Sequence, residues 1–188
     1  MSMRKILPVL LLALASAHPC QALEARANRV IDGDTLELTD GQKLRLIGVD
    51  TPELHNPKRN GRTAERTKRD AKTINAFAQK AKVYVERYVF ESDGAGPAPK
   101  ILYNKPRLLR LEYDPVNAAA GHKDKYGRTL AYVYVEGPGD KDPGGMPLNA
   151  RIIRDGYGFA YTRVPFKYLQ EFRRLEKKAR EDKKGLWG

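Results

Sequence analysis

The chain has 188 residues, of which 41% are hydrophobic and 31% are charged, a composition typical of one globular domain. This composition argues against wholesale disorder and against a polytopic membrane protein. Lysine and arginine number 35 against 23 aspartate and glutamate residues, so the formal net charge is +12. Such a charge favours a polyanionic partner, either nucleic acid or an anionic membrane surface. The single cysteine excludes an intramolecular disulfide.

Residues 1–22 are interpreted as a secretory signal peptide. Arg4 and Lys5 form a basic start, and the apolar run at 6–17 is shorter than the roughly 20 residues that a membrane span needs. Cleavage is expected after Ala17 or after Ala22. We therefore expect an exported protein, periplasmic or extracellular, that is monomeric and has no stable membrane insertion after cleavage. The alternative is that this segment forms a buried first helix.

The remaining residues, 23–188, predict one domain that combines short strands with helices. Alternating apolar residues over 26–49, interrupted by the turn signal Asp40-Gly41, predict a β-hairpin. Apolar residues spaced three and four apart predict a helix over 64–82, and 84–90 fits either a helix or a strand. The later elements are predicted as strands at 107–113 and 128–136, a short helix at 148–155 and a final helix at 166–184. Since no βαβ repeat occurs, this pattern predicts a small β-barrel that carries helices.

Two acidic motifs, Asp32-Gly33-Asp34-Thr35 and Asp50-Thr51-Pro52-Glu53, stand out in this basic chain. Two carboxylates together with backbone carbonyls form the kind of site that binds Ca²⁺ or Mg²⁺. Zinc is disfavoured because the sequence has no cluster of cysteine or histidine. The alternative is that these acidic residues only cap a turn and start a helix.

The hairpin predicts how these motifs meet. A two-residue turn at Asp40-Gly41 would place Arg45 opposite Leu36, on the same face as Asp34. Asp50 would lie at the same open end of the hairpin, and a bend at Gly48 would bring it towards Asp34. A slip of one residue would invalidate this register.

A second motif, Lys123-Asp124-Lys125-Tyr126-Gly127-Arg128, precedes a β-rich strand. Its basic residues fit a phosphate, and its tyrosine could stack on a base, but a solvated turn has the same composition. Tyr157, Phe159 and Tyr161 alternate further along the chain. They fit either a base-binding surface or a half-buried strand.

Three segments of the chain resemble, in order, the sequence blocks of the thermonuclease family, also called staphylococcal-nuclease-like. They are Asp32-Gly33-Asp34-Thr35, the stretch at 45–53 and Asp124-Lys125-Tyr126-Gly127-Arg128. The resemblance runs from about residue 26 to the end. It implies a five-stranded OB-fold barrel with about three helices, secretion, and Ca²⁺-dependent hydrolysis of DNA and RNA.

The resemblance also implies roles for individual residues. Asp34 and Asp50 look like the metal carboxylates, and Thr51 looks like a backbone-carbonyl ligand. Glu53 looks like the general base, or the group that orients the attacking water. The remaining roles are phosphate clamps at Arg45 and Arg128, terminal-phosphate contacts at Lys125 and Tyr126, and a nucleotide-pocket tyrosine at Tyr161.

Three departures from the family pattern concern substrate preference more than the reaction. The first hairpin turn is shorter than in the best-known member. Arg163 stands where that member has a second pocket tyrosine. Residues 83–107 resemble an insertion.

The function expected from the sequence is a secreted metal-dependent endonuclease with little sequence specificity. A nucleic-acid-binding module without catalysis is the main alternative. It is disfavoured because Asp34, Asp50 and Glu53 would repel phosphate unless a cation intervenes. A protein that docks on anionic membranes is also disfavoured, because the narrow apolar stripe of the final helix suits packing on the barrel.

Overall fold

The computed structural model describes residues 23–54, 57–94, 99–136 and 145–188, except for the side chains of Pro57 and Arg59. The predicted signal peptide lies outside these residues. No helix in the described part of the chain is both long and apolar enough to cross a membrane.

The described residues form short strands and four α-helices. The strands are β1 (Leu23–Ala25), β2 (Ala27–Asp32), β3 (Thr35–Leu38), β4 (Lys43–Leu46), β5 (Val49–Asp50), β6 (Phe90–Asp93), β7 (Lys100–Pro106), β8 (Leu108–Glu112), β9 (Thr129–Glu136) and β10 (Phe159–Ala160). The helices are α1 (Gly61–Thr67), α2 (Ala71–Val89), α3 (Leu148–Arg154) and α4 (Leu169–Glu181). Short 3₁₀ turns lie at Pro57–Asn60, Pro115–Ala120 and Gly185–Trp187.

The main sheet has six strands in the order β1-β8-β9-β4-β3-β2. Its only parallel pair among the described residues is β4 with β9. The two edge strands, β1 and β2, are separated by Arg26 alone, so one stretch of chain pairs with β8 before this residue and with β3 after it. The sheet must therefore curl around the core. The predicted class, mainly β with helices, is confirmed, although the described sheet is not closed into a barrel by a ladder of hydrogen bonds between its two edge strands.

The first hairpin differs from its predicted register by one residue. Thr35 pairs with Arg45 and Leu36 pairs with Leu44, whereas a two-residue turn would have set Arg45 against Leu36. The reason is the turn itself. The Leu38 amide donates to the Gln42 carbonyl at 2.8 Å, which leaves three residues, 39–41, in the loop. Gly41 adopts a φ of +83° there.

The helix predicted over 64–82 is two helices. Lys68, with a φ of +58°, ends α1 in the left-handed conformation. Asp70 then starts α2 by accepting hydrogen bonds from the Thr73 amide at 2.9 Å and the Thr73 hydroxyl at 2.6 Å. The apolar spacing continues across this junction, but the Asp-x-x-Thr cap starts a new helix, as such caps do. The ambiguous segment 84–90 is helical to Val89.

The other predicted elements lie close to their observed positions. The predicted strands at 107–113 and 128–136 are β8 and β9, and the predicted later helices are α3 and α4. Within the predicted insertion, 83–107, the chain completes α2 and then forms the β6–β7 hairpin. That this segment is an insertion stays a prediction.

A buried amide and a close-packed glycine fix the turn that leads into β5. Asn149 of α3 donates to the Ile47 carbonyl at 2.9 Å and accepts from the Val133 amide at 3.0 Å. Gly48 has a φ of +73°, and a Cβ there would lie 2.6 Å from the Phe166 ring and 3.0 Å from the Phe172 ring. Asn149 on one side and the two phenyl rings on the other therefore hold the backbone of this turn. This fixes the position of Asp50, two residues further on.

Alanine substitutions at Gly48 and, as a control, at Gly41 test how tightly the turn before β5 is packed. We expect Gly41→Ala, whose Cβ meets nothing within 4 Å, to lower the free energy of unfolding by about 1 kcal/mol through backbone strain alone. Gly48→Ala should cost about 1–3 kcal/mol more, because the added methyl overlaps two phenyl rings. Urea unfolding of both variants measures the difference. Equal losses would contradict the packing argument.

Candidate active site

The Asp34 carboxylate joins two separate segments of the chain. This residue is only 6% exposed and lies in the turn between β2 and β3. One of its carboxylate oxygens, Oδ2, accepts from the Thr51 amide at 2.9 Å and from the Thr51 hydroxyl at 3.1 Å. The other, Oδ1, accepts from the Thr35 hydroxyl at 3.0 Å. The segment after β5 is thereby fixed against the β2–β3 turn.

This turn also packs closely on α2. A Cβ at Gly33 would lie 2.8 Å from the Ala81 Cβ and 3.0 Å from Thr51 side-chain atoms. Only glycine fits at this position without a shift of the neighbouring atoms. The close approach sets the depth at which the neighbouring Asp34 is buried.

The Arg45 guanidinium lies between two carboxylates. Its Nη1 is 2.5 Å from Asp34 Oδ1 and donates to the Asp34 carbonyl at 3.2 Å. Its Nη2 is 3.4 Å from Asp50 Oδ1. Arg45 and Asp34 are largely buried, whereas the Asp50 side chain is 43% exposed. The sequence predicted Arg45 and Asp34 on one face of the hairpin, and their side chains are in contact, although the register differs by one residue.

Two backbone connections hold Glu53 beside this cluster. Its amide donates to Asn60 Oδ1 at 2.7 Å, and its carbonyl accepts from Asn60 Nδ2 at 3.0 Å. Asn60 is buried and also donates to Asn75 of α2 at 3.1 Å. The next amide, that of Leu54, donates to Asp32 Oδ1 at 3.2 Å. The Glu53 backbone is therefore fixed relative to the turn that carries Asp34, and its side chain is half-buried.

The second predicted cluster is a tight turn built around Asp124. Arg128 donates to Asp124 Oδ2 through Nε at 2.7 Å, and its Nη2 lies 2.7 Å from the same oxygen. Asp124 Oδ1 accepts from the amides of Tyr126 and Arg128 at 2.9 and 3.0 Å. Gly127 has a φ of +77°, which closes the turn. The guanidinium of Arg128 is thereby oriented before any ligand arrives.

The carboxyl of Asp124 has a pKa below its usual range. Partial burial is the largest single influence and raises the pKa, but the hydrogen bonds from the Arg128 side chain and from two backbone amides together outweigh it. Charge-assisted hydrogen bonds favour the ionised form of a carboxyl. Asp124 is therefore a negative group whose charge serves to orient Arg128.

An exposed tyrosine lies beside this turn. Tyr126 is 72% exposed, and the Lys125 Nζ and the Arg128 Cζ lie 5.0 and 5.5 Å from the centroid of its ring. An exposed aromatic face flanked by two cations suits a base or a phosphate.

The sheet register places the two clusters on neighbouring central strands, β4 and β9. Thr129 of β9 pairs with Leu44 of β4, and Leu130 pairs with Arg45. Leu130 is thus the residue opposite Arg45, and Arg128 precedes it by two residues along the chain of β9. Among the described contacts, none joins Arg128 to the carboxylates of the first cluster.

The three alternating aromatics do not form one surface. Phe159 is buried, with its ring 5.2 Å from that of Trp187, and Tyr157 stacks on Tyr84 at 4.3 Å. Tyr161 is half-buried, and its amide donates to the Gly48 carbonyl at 2.9 Å. Phe159 lies in β10 and Tyr157 in the bend before it, and both rings are packed inside the domain, so neither belongs to a base-binding surface. Tyr161 alone stays a candidate for substrate contact.

Sequence reasoning missed the residues that orient the site. Asn60 holds Glu53 from seven residues away, and no local pattern marks it. The function of Asp124 was recognisable in principle, because an aspartate that precedes a glycine turn typically accepts backbone amides. No group of three or more histidine, cysteine, aspartate or glutamate side chains that could hold a metal ion occurs among the described residues.

A family model described as Staphylococcal nuclease homologue matches residues 43–188. The chain belongs to this family. The thermonuclease of Staphylococcus hyicus is 30% identical over 163 residues, which cover 85% of this chain and 72% of that protein. Endonuclease YncB of Bacillus subtilis is 30% identical over 165 residues, covering 85% of this chain and 59% of the relative. An uncharacterized endonuclease of Escherichia coli is 26% identical over 188 residues, covering 98% of this chain and 90% of the relative.

Membership of the staphylococcal nuclease homologue family supports a phosphodiesterase that acts on nucleic acid. The matched range contains Arg45, Asp50, Glu53 and Arg128 and begins after Asp34. The place of Asp34 in the site therefore rests on its contacts with Thr51 and Arg45 rather than on the family match.

The lowered pKa of Asp124 predicts a pH-dependent loss of stability. A carboxyl whose pKa is lower in the folded state contributes stability above its unfolded pKa, near 3.9, and loses it as the pH falls through the folded pKa. We expect Asp124→Asn to lower the free energy of unfolding by about 1 kcal/mol at neutral pH. The difference from wild type should shrink below about pH 3.

Urea unfolding of both proteins at neutral and at acid pH measures this change. A difference that stays constant with pH would show that the carboxylate charge is not what holds the turn.

Proposed function

We propose that this protein is a metal-dependent nuclease that hydrolyses phosphodiester bonds of DNA, of RNA or of both with little sequence specificity. The observation that carries the proposal is the position of the Arg45 guanidinium between Asp34 and Asp50. Glu53 follows Asp50 by three residues, and Asn60 anchors its backbone. A chain of net charge +12 has little reason to concentrate carboxylates on a phosphate-binding face unless they serve chemistry there.

The donor set fits a hard divalent cation. Asp34 and Asp50 converge on one positive charge, and carboxylate and carbonyl oxygens are the ligands that Ca²⁺ and Mg²⁺ prefer. We assign Asp34, Asp50 and the carbonyl of Thr51 to such a cation, with Ca²⁺ as the first choice and Mg²⁺ as the second. When bound, it would supply Lewis acidity to a phosphoryl oxygen. With fewer than three side-chain ligands, the remaining positions would fall to water and substrate.

Two arginines are assigned to the phosphate. Arg45 and Arg128 each present a planar fork of N–H donors, and each is oriented by a carboxylate, Asp34 and Asp124 respectively. Preorganised guanidinium groups bind a phosphate more tightly as negative charge builds up in the transition state. Lysine lacks this fork, so an arginine-to-lysine change at either position would not be conservative.

Glu53 is assigned to the attacking water. Its carboxylate would accept a proton from water, or orient the water for attack. Asn60 holds the Glu53 backbone from both its amide and its carbonyl side, which limits where this carboxylate can reach. Such positioning matters because small displacements of a catalytic group are costly in rate.

The substrate contacts proposed outside the reacting group are Lys125, Tyr126 and Tyr161. The first two lie at an exposed turn and suit a terminal phosphate or a stacked base. Binding through cations to phosphates must weaken as salt rises. Nothing in these contacts selects one base over another, so we propose little sequence preference.

Export belongs to the same proposal and rests on residues 1–22 alone. A basic start, an apolar run and small residues follow in the order of a signal peptide. N-terminal sequencing of the protein recovered outside the cytoplasm would test it, and a chain that still begins at Met1 would contradict it.

The decisive test of the reaction is Glu53→Gln in the full-length chain. Wild type should degrade single-stranded DNA, duplex DNA or RNA with Ca²⁺ or Mg²⁺ and not with a chelator. Glu53→Gln should cleave at least about 100-fold more slowly, because proton transfer contributes a factor of that order or more. Its affinity for nucleic acid should stay at the wild-type value. Glu65→Gln, an exposed glutamate of α1, is the control with the same charge change.

Two results would count against the proposal. Cleavage by Glu53→Gln at the wild-type rate would remove Glu53 from the reaction. Salt-sensitive binding by wild type without cleavage under any metal would favour the binding module over the enzyme.

A further inference from the structure

A basic cleft of 320 Å³ lies between α1, β10 and α4. It is separate from the clusters described above and contains none of their residues. Four cations and one carboxylate line it, together with Ala160 and Thr162: Arg66, Arg173, Lys177, Arg180 and Glu176.

The single carboxylate is already engaged. Glu176 has a side chain only 9% exposed, and its Oε1 accepts from Arg66 Nη2 at 2.7 Å and from Arg180 Nη2. Its Oε2 accepts from the Ala160 amide at 2.8 Å. Because these donors satisfy the carboxylate, the cleft keeps an excess of positive charge towards solvent.

Glu176 and two aromatic rings also fix the inner pair of guanidinium groups, those of Arg66 and Arg180. The Arg66 Cζ lies 4.0 Å from the centroid of the Phe159 ring, and the Arg180 Cζ lies 4.3 Å from that of Trp187. A guanidinium held by a carboxylate on one side and a ring on its face loses little further freedom on binding. Fixed forks of N–H donors are the arrangement that recognises phosphate oxygens.

The outer pair of cations, Arg173 and Lys177, is available to bind a ligand. Arg173 is exposed and has no ion pair or hydrogen bond to another described residue. Lys177 lies 3.8 Å from Glu181, and both side chains are exposed, so this pair is weak. The two cations sit one turn apart on the same face of α4.

The cleft adjoins the strand that carries Asp50. Ala160, whose amide binds Glu176 inside the cleft, pairs with Val49, and Phe159 pairs with Asp50. Neighbouring strands lie about 4.8 Å apart, so the backbone of Ala160, at the wall of the cleft, is about one strand spacing from the strand that carries Asp50. A nucleic acid strand bound at Asp50 would have further phosphates close to this surface.

We propose that this cleft is a second phosphate-binding site, which holds the backbone of a bound nucleic acid strand away from the bond that is cleaved. Its ligand is a phosphodiester anion. The proposal rests on the proposed function, since it takes nucleic acid as the substrate. It goes beyond that function by assigning Arg66, Arg173, Lys177 and Arg180 to substrate binding.

The test compares two double variants of the full-length chain that change the same charge on the same helix. Arg173→Ala/Lys177→Ala removes the outer cations of the cleft, and Arg174→Ala/Lys178→Ala removes exposed neighbours that do not line it. Arg66 and Arg180 are left intact because they compensate the buried Glu176. Affinities for labelled single strands of about four and about sixteen nucleotides are measured by fluorescence anisotropy with a chelator present.

The cleft variant should bind the longer strand at least about fivefold more weakly than wild type at low salt, with a smaller decrease for the shorter strand. Its salt dependence, the slope of log affinity against log salt, should fall by about 0.7 for each phosphate that the cleft no longer neutralises. The control variant should stay close to wild type. Equal decreases in both variants would overturn the proposal, because general surface charge would then explain the binding.

Competition with inorganic phosphate shows whether the cleft binds the phosphates of a nucleic acid strand or free phosphate. If the cleft variant failed only to bind phosphate and kept full affinity for the longer strand, the cleft would be a site for free phosphate and the proposal would be wrong. If the proposed nuclease function were wrong, the result would be different: wild type would not cleave nucleic acid with any metal. The binding comparison is unaffected by that outcome.

Discussion

The hydrogen bonds between the Asp34 carboxylate and Thr51 are the interaction on which the rest of the site depends. A buried carboxylate is costly unless donors satisfy it, and Asp34 receives donors from Thr35, Thr51 and Arg45. These donors come from three segments, so none of the segments can move away without leaving charge buried and unpaired. The β2–β3 turn, strand β4 and the residues after β5 are thereby held as one unit, and Asp50 takes its position from that unit.

The same device recurs at three places in this protein, where a carboxylate fixes the guanidinium of an arginine. Asp34 fixes Arg45, and Asp124 fixes Arg128. In the basic cleft, Glu176 fixes both Arg66 and Arg180. Each carboxylate reduces the positive charge locally, but it also removes the conformational freedom that a long side chain would lose on binding phosphate. A net charge of +12 leaves enough positive surface to hold a polyanion in spite of these acids.

The sequence predicted which residues meet at the candidate site better than the geometry in which they meet. The acidic motifs and Arg45 were recognisable because residue type alone indicates ligand chemistry, whereas the hairpin register depended on whether the turn held two residues or three. The break between α1 and α2 was missed because the apolar spacing continues across it, although Asp70 and Thr73 carry a cap signal. Asn60 could not be predicted at all, since its function exists only where the folded chain brings it to Glu53.

The most direct test of this account is Ca²⁺ binding, measured by calorimetry on the full-length wild type, Asp50→Asn and Arg45→Met. If Asp34 and Asp50 form the cation site with Arg45 between them, Asp50→Asn should bind Ca²⁺ at least severalfold more weakly. Arg45→Met should bind it more tightly, because a positive charge close to both carboxylates is removed. Unchanged affinity in Asp50→Asn, or weaker binding in Arg45→Met, would contradict the account.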